Sequence, residues 1–210
     1  MKIQTIITGA FDENCFLLLN NNHAVVIDPG ADADVILETL RRENATVDAY
    51  LLTHGHADHI CALADLYNAQ PAPVYFHAAD FEWAFTVTEN QIPPYYSIPQ
   101  KPPAQFIHPD DGEKLSIAGI DIIVIATPGH TPGCVSYYIE KEKALFAGDT
   151  LFKGSCGRTD LPGGNGRVLS QSLKKLAALP PDTAVYSGHG DSSTIGHENR
   201  TNFFMQQAAK

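Results

Sequence analysis

Positive charge is scarce in this 210-residue chain: 14 Lys and Arg stand against 24 Asp and Glu, a formal net charge of −10. That balance argues against a nucleic-acid partner, whose phosphates demand a basic footprint. Lys153, Arg158 and Arg167 are near one another in sequence and form a local patch suited to a small anion. Long apolar runs are missing as well. No segment approaches the length of a transmembrane helix. Met1-Lys2-Ile3-Gln4-Thr5 leads straight into a strand-like segment without the apolar stretch of a secretory signal. Cysteine is sparse. Cys15, Cys61, Cys134 and Cys156 show no C-x-x-C pairing and read as small reduced thiols of a cytoplasmic protein. A separate Ser-His-Asp arrangement and an internal sequence repeat are also absent. With 44% hydrophobic and 18% charged residues, the composition is that of an ordinary globular protein. The length suits a single domain over 1–210, or two closely packed halves.

What the chain has is a concentration of metal ligands. Thr53-His54-Gly55-His56-Ala57-Asp58-His59 places four candidate ligands within six residues. Imidazole nitrogen and carboxylate oxygen suit zinc, iron or manganese. The apolar Ala49-Tyr50-Leu51-Leu52 before it reads as a buried strand. Residues 60–66 after it read as a helix, so the ligands occupy a strand-to-helix loop. His54 and His56 alternate by two and can share one side of extended backbone, with Gly55 allowing close approach. Asp58 stands where a helix N-cap would, and can cap as well as bind metal.

Three further apolar runs end in the same way. The run 122–126 leads to Thr127-Pro128-Gly129-His130-Thr131-Pro132-Gly133, 144–147 to Gly148-Asp149-Thr150, and 184–186 to Ser187-Gly188-His189-Gly190. Alone, each of His130, Asp149 and His189 reads as a turn residue. With the first loop they make five His and two Asp at strand ends. Asp28, in Asp28-Pro29-Gly30, is either a turn former or a hydrogen-bond partner to a ligating His.

The set His-x-His-x-Asp-His, Pro-Gly-His-Thr, Gly-Asp-Thr and Gly-His-Gly resembles the metallo-β-lactamase superfamily, from about Asn14 to Thr201. The resemblance implies a mixed α/β (α+β) domain, a four-layer αββα sandwich with metals where strand ends of two sheets meet. It implies two divalent metal ions per chain: zinc first, with iron or manganese as alternatives. One ion is assigned to His54, His56 and His130, the other to Asp58, His59 and His189, with Asp149 bridging both. Asp58 is assigned a catalytic role as well. The β-lactamase branches commonly lack counterparts of His59 and Asp149, so the resemblance points to a hydrolase cousin of the antibiotic-resistance enzymes.

Gly148-Asp149-Thr150-Leu151-Phe152, Cys156-Gly157-Arg158, Tyr186-Ser187-Gly188-His189-Gly190 and Thr194-Ile195-Gly196-His197-Glu198 resemble the type II glyoxalases. The likeness is to the short bacterial form without a C-terminal helical extension. It implies hydrolysis of a small-molecule thioester, S-lactoylglutathione to lactate and glutathione, by attack of a metal-bridging hydroxide. Arg158 is the expected substrate contact. Two departures accompany it: the extension that normally helps bind glutathione is missing, and Asp160 stands near an aromatic contact of longer enzymes. Three alternatives remain. A persulfide dioxygenase would use one iron on His54, His130 and Asp149, and Cys156-Gly157-Arg158-Thr159-Asp160 resembles that branch too. A lactonase would use the same dinuclear site. A non-enzymatic metal-binding protein would not need seven ligands with an open position. Metal identity, acyl group, physiological thiol and oligomeric state are not encoded in any of these motifs.

Along the chain, strands are expected near 2–8, 14–20 and 24–28, with a helix near 33–44. After the metal loop come a strand near 74–77, a helix near 79–85 and a Pro- and Tyr-rich loop at 86–104. The second half offers strands near 114–126, 135–139, 143–147 and 184–187, a helix near 167–179 and a last helix from about His197.

Overall fold

Side-chain alternation along the strands decides the architecture. In the computed structural model, which describes residues 1–86 and 99–209, β1 (Lys2–Thr8), β2 (Glu13–Asn20) and β3 (His23–Ile27) form an antiparallel meander. Strands β4 (Thr46–Leu51), β5 (Val74–Tyr75) and β6 (Phe106–Ile107) extend it in parallel to six strands in sequential order. The second sheet takes β7 (Lys114–Ile117), β8 (Ile120–Ala126), β9 (Val135–Ile139) and β10 (Ala144–Gly148). A small hairpin of β11 (Leu151–Phe152) and β12 (Ser155–Cys156) follows, and then β13 (Ala184–Ser187) and β14 (Ser193–Thr194) complete the sheet in the order β14-β13-β10-β9-β8-β7.

Both faces of these sheets are covered. Phe16 and Leu18 of β2, with Val25 and Ile27 of β3, meet Ile122 and Val124 of β8 and Tyr137 of β9 between the sheets. Their alternate neighbours Leu17, Leu19, Ala24 and Val26 point the other way, against α1 (Ala33–Arg42) and α3 (Leu63–Ala69) through Ile36, Leu40, Leu63 and Leu66. On the far side, Tyr138 and Leu145 pack on α5 (Gly166–Ala177), α6 (Ile195–Thr201) and α7 (Phe203–Ala208) through Leu169, Leu173, Ile195 and Met205. A strand buried on both faces needs an unbroken apolar run, which is why β2 and β3 show no polar alternation. The layers are helix, sheet, sheet, helix: the four-layer αββα sandwich that the sequence motifs imply. No described helix is long and apolar enough to cross a membrane.

Several expected elements need correction. The stretch 114–126 is two strands, because Ala118 and Gly119 both take positive φ (54° and 72°) and turn the chain into a hairpin that pairs Ile117 with Ile120. The helix expected over 60–66 is broken. A short α2 (Ala57–Ile60) stops where Ala62 N–H turns to the carbonyls of Pro29 and Gly30, and α3 restarts at Leu63. Asp58 is therefore inside α2 and not its cap. His56 takes that position, without a side-chain cap bond. Helix α4 (Ala78–Ala84) matches its expected place. The central part of the 86–104 segment, including Pro93-Pro94-Tyr95-Tyr96, lies outside the described residues. Strand β5 falls within the strand expected near 74–77, whereas the two-residue strands β6, β11, β12 and β14 are too short for periodicity to register.

Strand direction gathers the ligand-bearing loops. β8 and β10 both run antiparallel to β9, and β13 runs parallel to β10, so all three end at one edge of the second sheet. Two backbone bonds join that edge to the first sheet: Val135 N–H donates to Thr53 O at 2.8 Å, and Asn14 N–H to Gly188 O at 2.7 Å. The Asn14 side chain repeats the link, donating to Ser187 O and Gly190 O at 3.0 Å each. Asn14→Ala strands these carbonyls at the seam. The expected loss in urea-unfolding free energy is about 1–3 kcal/mol. A midpoint unchanged from the parent would show that the seam does not depend on it.

Candidate metal centre

Four of the five histidines at the seam have their tautomer set by a neighbour. His130 Nδ1 faces Arg158 O at 2.8 Å and His189 Nδ1 faces Phe11 O at 3.0 Å. A carbonyl only accepts, so in both rings Nδ1 carries a proton and Nε2 is the nitrogen turned to the seam. His59 Nδ1 donates to Asp28 Oδ2 at 3.1 Å. The single hydroxyl proton of Thr53 goes to Asp28 Oδ2 at 2.6 Å, so the His54 Nδ1 contact with Thr53 Oγ1 at 3.0 Å is donated by His54. All four rings thus turn Nε2 towards one region. His56 enters it by Nδ1 instead, 2.9 Å from His130 Nε2.

These nitrogens and two carboxylates fall into two triads. His54, His56 and His130 bring one donor atom each within 4.8 Å of one another, as do Asp58, His59 and His189. Asp149 stands between them: Oδ1 is 3.4 Å from His59 Nε2, and Oδ2 is 3.5 Å from His130 Nε2 and 3.7 Å from His189 Nε2. His189 Nε2 is 3.4 Å from Asp58 Oδ2. Ligands 2.0–2.1 Å from a tetrahedral ion are about 3.3 Å apart, so donor separations of this size match a shared ion. The rings of His54, His56 and His130 are mutually steep, at 77–88°, with centroids 4.7–4.9 Å apart. All seven residues expected as ligands come together.

The donor set fits divalent metal. His54 Nε2, His59 Nε2, Asp58 Oδ1 and Asp149 Oδ1 are buried and have no hydrogen-bond partner, a costly state for polar atoms unless something binds them. Burial, then the neighbouring His59, holds His54 well below the usual imidazole range, and burial with His130 takes His56 down to about 3. Both are neutral ligands at any ordinary pH. Burial works against the charged form of Asp149, but His59, His130 and His54 outweigh it and hold the carboxyl well below its usual range. Asp58 is lowered in the same way, burial being overcome by His59 and His189. Glu13, Asp28, Asp58 and Asp149 are all buried here, yet their ion-pair partners are histidines and none is Lys or Arg. A buried cluster of acids without a basic side chain needs a cation from elsewhere.

Asp28 is the partner alternative and not a simple turn former. Both of its oxygens are occupied, Oδ1 by Thr53 N–H at 2.7 Å and Oδ2 by Thr53 Oγ1 and His59. Asp80 escaped the sequence reading altogether. It is fully buried on α4 and accepts from Gly55 N at 3.0 Å and Thr131 Oγ1 at 2.6 Å through Oδ2, and from Gly133 N at 2.7 Å through Oδ1. One carboxylate therefore ties the His54–His56 loop to the His130 loop. An acid in a plain amphipathic helix gives no sign of this role from sequence. Gly188 has a clearer reason: a Cβ there would lie 2.3 Å from Asp149 Oδ1 and 2.7 Å from His59 Cε1.

The triads floor an open cavity of about 450 Å³ walled by Phe11, Phe152, Leu161, Cys156 and Arg158. Arg158 reaches this wall, but its guanidinium is held by Asp160 through two bonds of 2.7 Å. Its carbonyl, by contrast, orients His130. Lys153 is paired with Asp191 at 2.9 Å, so the expected basic patch is largely neutralised. Cys15 and Cys134 are buried, Cys61 and Cys156 half-buried, and all four are free thiols.

Two outcomes are expected from this geometry. Protein loaded to two metals per chain should fall to about one on Asp58→Ala, read by elemental analysis; two tightly held ions in the variant would break the assignment of the second triad. Asp80→Asn should weaken metal retention against a competing chelator by roughly 10–100-fold. Parent-like retention would mean that the two loops hold their positions without the Asp80 charge.

The pattern of the Metallo-beta-lactamase superfamily matches residues 8–189. The chain is 35% identical over 98% of both chains to a probable metallo-hydrolase, YqgX, of Bacillus subtilis, and 32% identical over 98% of both to the hydroxyacylglutathione hydrolase GloC of Haemophilus influenzae. Among solved structures it is similar to the BLEG-1 B3 metallo-beta-lactamase (TM-score 0.88, 38% identity, 97% of this chain and 99% of that one) and to TTHA1623 in a di-iron-bound form (0.81, 35%, 96% and 99%). ETHE1 from Myxococcus xanthus follows at 0.79 and 26%, covering 100% and 91%. These relatives carry names from different branches, β-lactamase included. What they share with this chain is the fold, and with the family pattern matched over residues 8–189 and relatives above 30% identity along nearly the whole length, the chain belongs to the metallo-beta-lactamase superfamily.

Proposed function

We propose that the chain hydrolyses small-molecule thioesters of the S-acylglutathione type, with S-lactoylglutathione to lactate and glutathione as the reference reaction. The observation that carries this reading is a pair of triads joined by Asp149 at the floor of an open cavity with no activated protein nucleophile. Cys156, the only thiol on the wall, is pushed up to about 11 by burial and stays protonated. Two divalent ions, zinc, iron or manganese, would be held by His54, His56 and His130 and by Asp58, His59 and His189 with Asp149 shared, and when bound they supply an ionised water and an electrophile for the carbonyl. Asp58, whose Oδ1 has no partner, is the residue placed to accept the proton that the water gives up. His130 and His189 are held in orientation by the carbonyls of Arg158 and Phe11. A thiolate leaves with an unperturbed pKa of about 8.5, so no general acid is needed on the leaving side. The wall lacks one in any case. Water adds across the C–S bond, yielding one carboxylate and one thiol.

The likeness to GloC supports the same reading, and four free thiols suit a cytoplasmic setting. A net charge of −10 and the pairing of Lys153 and Arg158 with acids speak against a nucleic-acid substrate. Persulfide dioxygenation is the main rival, because His130 and Asp149 stand together with His54 in the same triad region.

Metal-loaded protein should release thiol from S-lactoylglutathione without consuming oxygen. Oxygen uptake on glutathione persulfide with negligible thiol release would transfer the assignment to the dioxygenase. Preferential opening of a lactone or a β-lactam would transfer it to those branches. Arg158 is proposed as the contact for a substrate carboxylate in competition with Asp160. Asp160→Ala should then lower KM for S-lactoylglutathione, while Arg158→Ala should raise it by roughly tenfold to a hundredfold with a smaller effect on kcat. KM unchanged in both variants would remove Arg158 from recognition.

A further inference from the structure

Behind the wall of the metal cavity lies a second one of about 560 Å³, larger than the first and within the range of about 300–1,000 Å³ typical of small-molecule sites. Its sides are α5 and α7, contributing Leu169, Ser170, Leu173 and Phe204. Its near side is the segment 156–160, of which Cys156 and Arg158 also border the metal cavity. The two spaces thus share Cys156 and Arg158 as a common border, and Gly157 between them lies against the Asp149 backbone carbonyl.

The chemistry of the second space is unlike that of glutathione. The only charged residues that line it are Arg158 and Asp160, and these neutralise each other. Phe204 is 43% exposed on its rim and Leu173 is buried at its base. Such a surface suits a neutral apolar chain and offers no net positive charge to a dicarboxylate. Hydrocarbon is stabilised there at about fourfold in affinity per buried methylene.

We infer that this lobe receives the acyl chain of the substrate, so that thioesters of medium-length, apolar acyl groups are preferred over lactoyl or acetyl thioesters. The inference rests on the thioester reading above. The carbonyl sits over the triads, the chain passes Cys156 and Arg158, and its end lies between α5 and α7. The charged or neutral thiol arm stays at the open mouth.

The test uses the full metal-loaded chain and a series of acetyl, butanoyl, hexanoyl and octanoyl thioesters, each on glutathione and on the neutral thiol N-acetylcysteamine. The octanoyl-to-acetyl ratio of kcat/KM should exceed about ten on both thiols. Ser170→Trp, which fills the lobe from α5, and Phe204→Asp, which charges its rim, should each bring that ratio down towards one. The ratio is internal to each protein, so partial loss of active enzyme does not move it. A flat profile with ready turnover of every thioester would overturn the lobe and leave thioester hydrolysis standing. A rising profile that neither variant alters would also overturn it, because the chain would then lie elsewhere. A profile that rises only on one thiol would assign the preference to the thiol arm. No turnover of any thioester by fully loaded protein would overturn the underlying reading together with the lobe.

Discussion

Buried negative charge without a basic partner is the constraint on which this structure depends. Asp28, Asp58 and Asp149 gather at the seam of two sheets, where no Lys or Arg pairs with them. Burying carboxylates in this way is tolerable only beside a compensating cation. Five imidazoles turn a ring nitrogen to the same region. The fold thus positions a deficit of positive charge that a divalent metal would fill.

Holding that deficit in place takes contacts from both halves of the chain. Asp28 fixes Thr53 and His59, so the first ligand loop is oriented from within its own sheet. Asp80 binds that loop to the His130 loop of the other sheet. Asn14 and Val135 close the seam through backbone carbonyls. The two carboxylates differ from Asp58 and Asp149 in one respect: their oxygens are saturated by donors. Among these aspartates, the two with both oxygens occupied position loops, and the two with an unpartnered oxygen face the ligand cluster. The distinction depends on hydrogen-bond partners and not on residue type.

The segment 156–160 connects the metal centre to both cavities. Its carbonyl at Arg158 orients His130, its side chain at Arg158 is committed to Asp160, and its two faces border two cavities. A residue expected as an anion contact is therefore first a structural element of the metal centre. The pairing with Asp160 leaves the cavity walls mainly apolar, with Phe11, Phe152 and Leu161 on one side and Leu169, Leu173 and Phe204 on the other.

Much of the site was legible from local spacing. Seven ligands each follow an apolar run, and strand ends are where a sheet edge can present them. Strands buried on both faces announced themselves as unbroken apolar stretches at 14–20 and 24–27. The signal failed where a few residues decide the conformation: the Ala118–Gly119 turn that splits one expected strand, and the Ala62 contact with Pro29 and Gly30 that breaks one expected helix. It failed also for Asp80, because its three donors come from residues 55, 131 and 133, and nothing nearby in sequence marks it. The sequence alone thus determined which residues can bind metal and which segments are core, because ligand chemistry and side-chain periodicity are local properties. Only the tertiary structure decided which acids bind and which position, that Arg158 is held by Asp160, and that a second cavity lies behind the first. Those outcomes depend on contacts between residues far apart in the chain, whose partners exist only after the sheets have closed on each other.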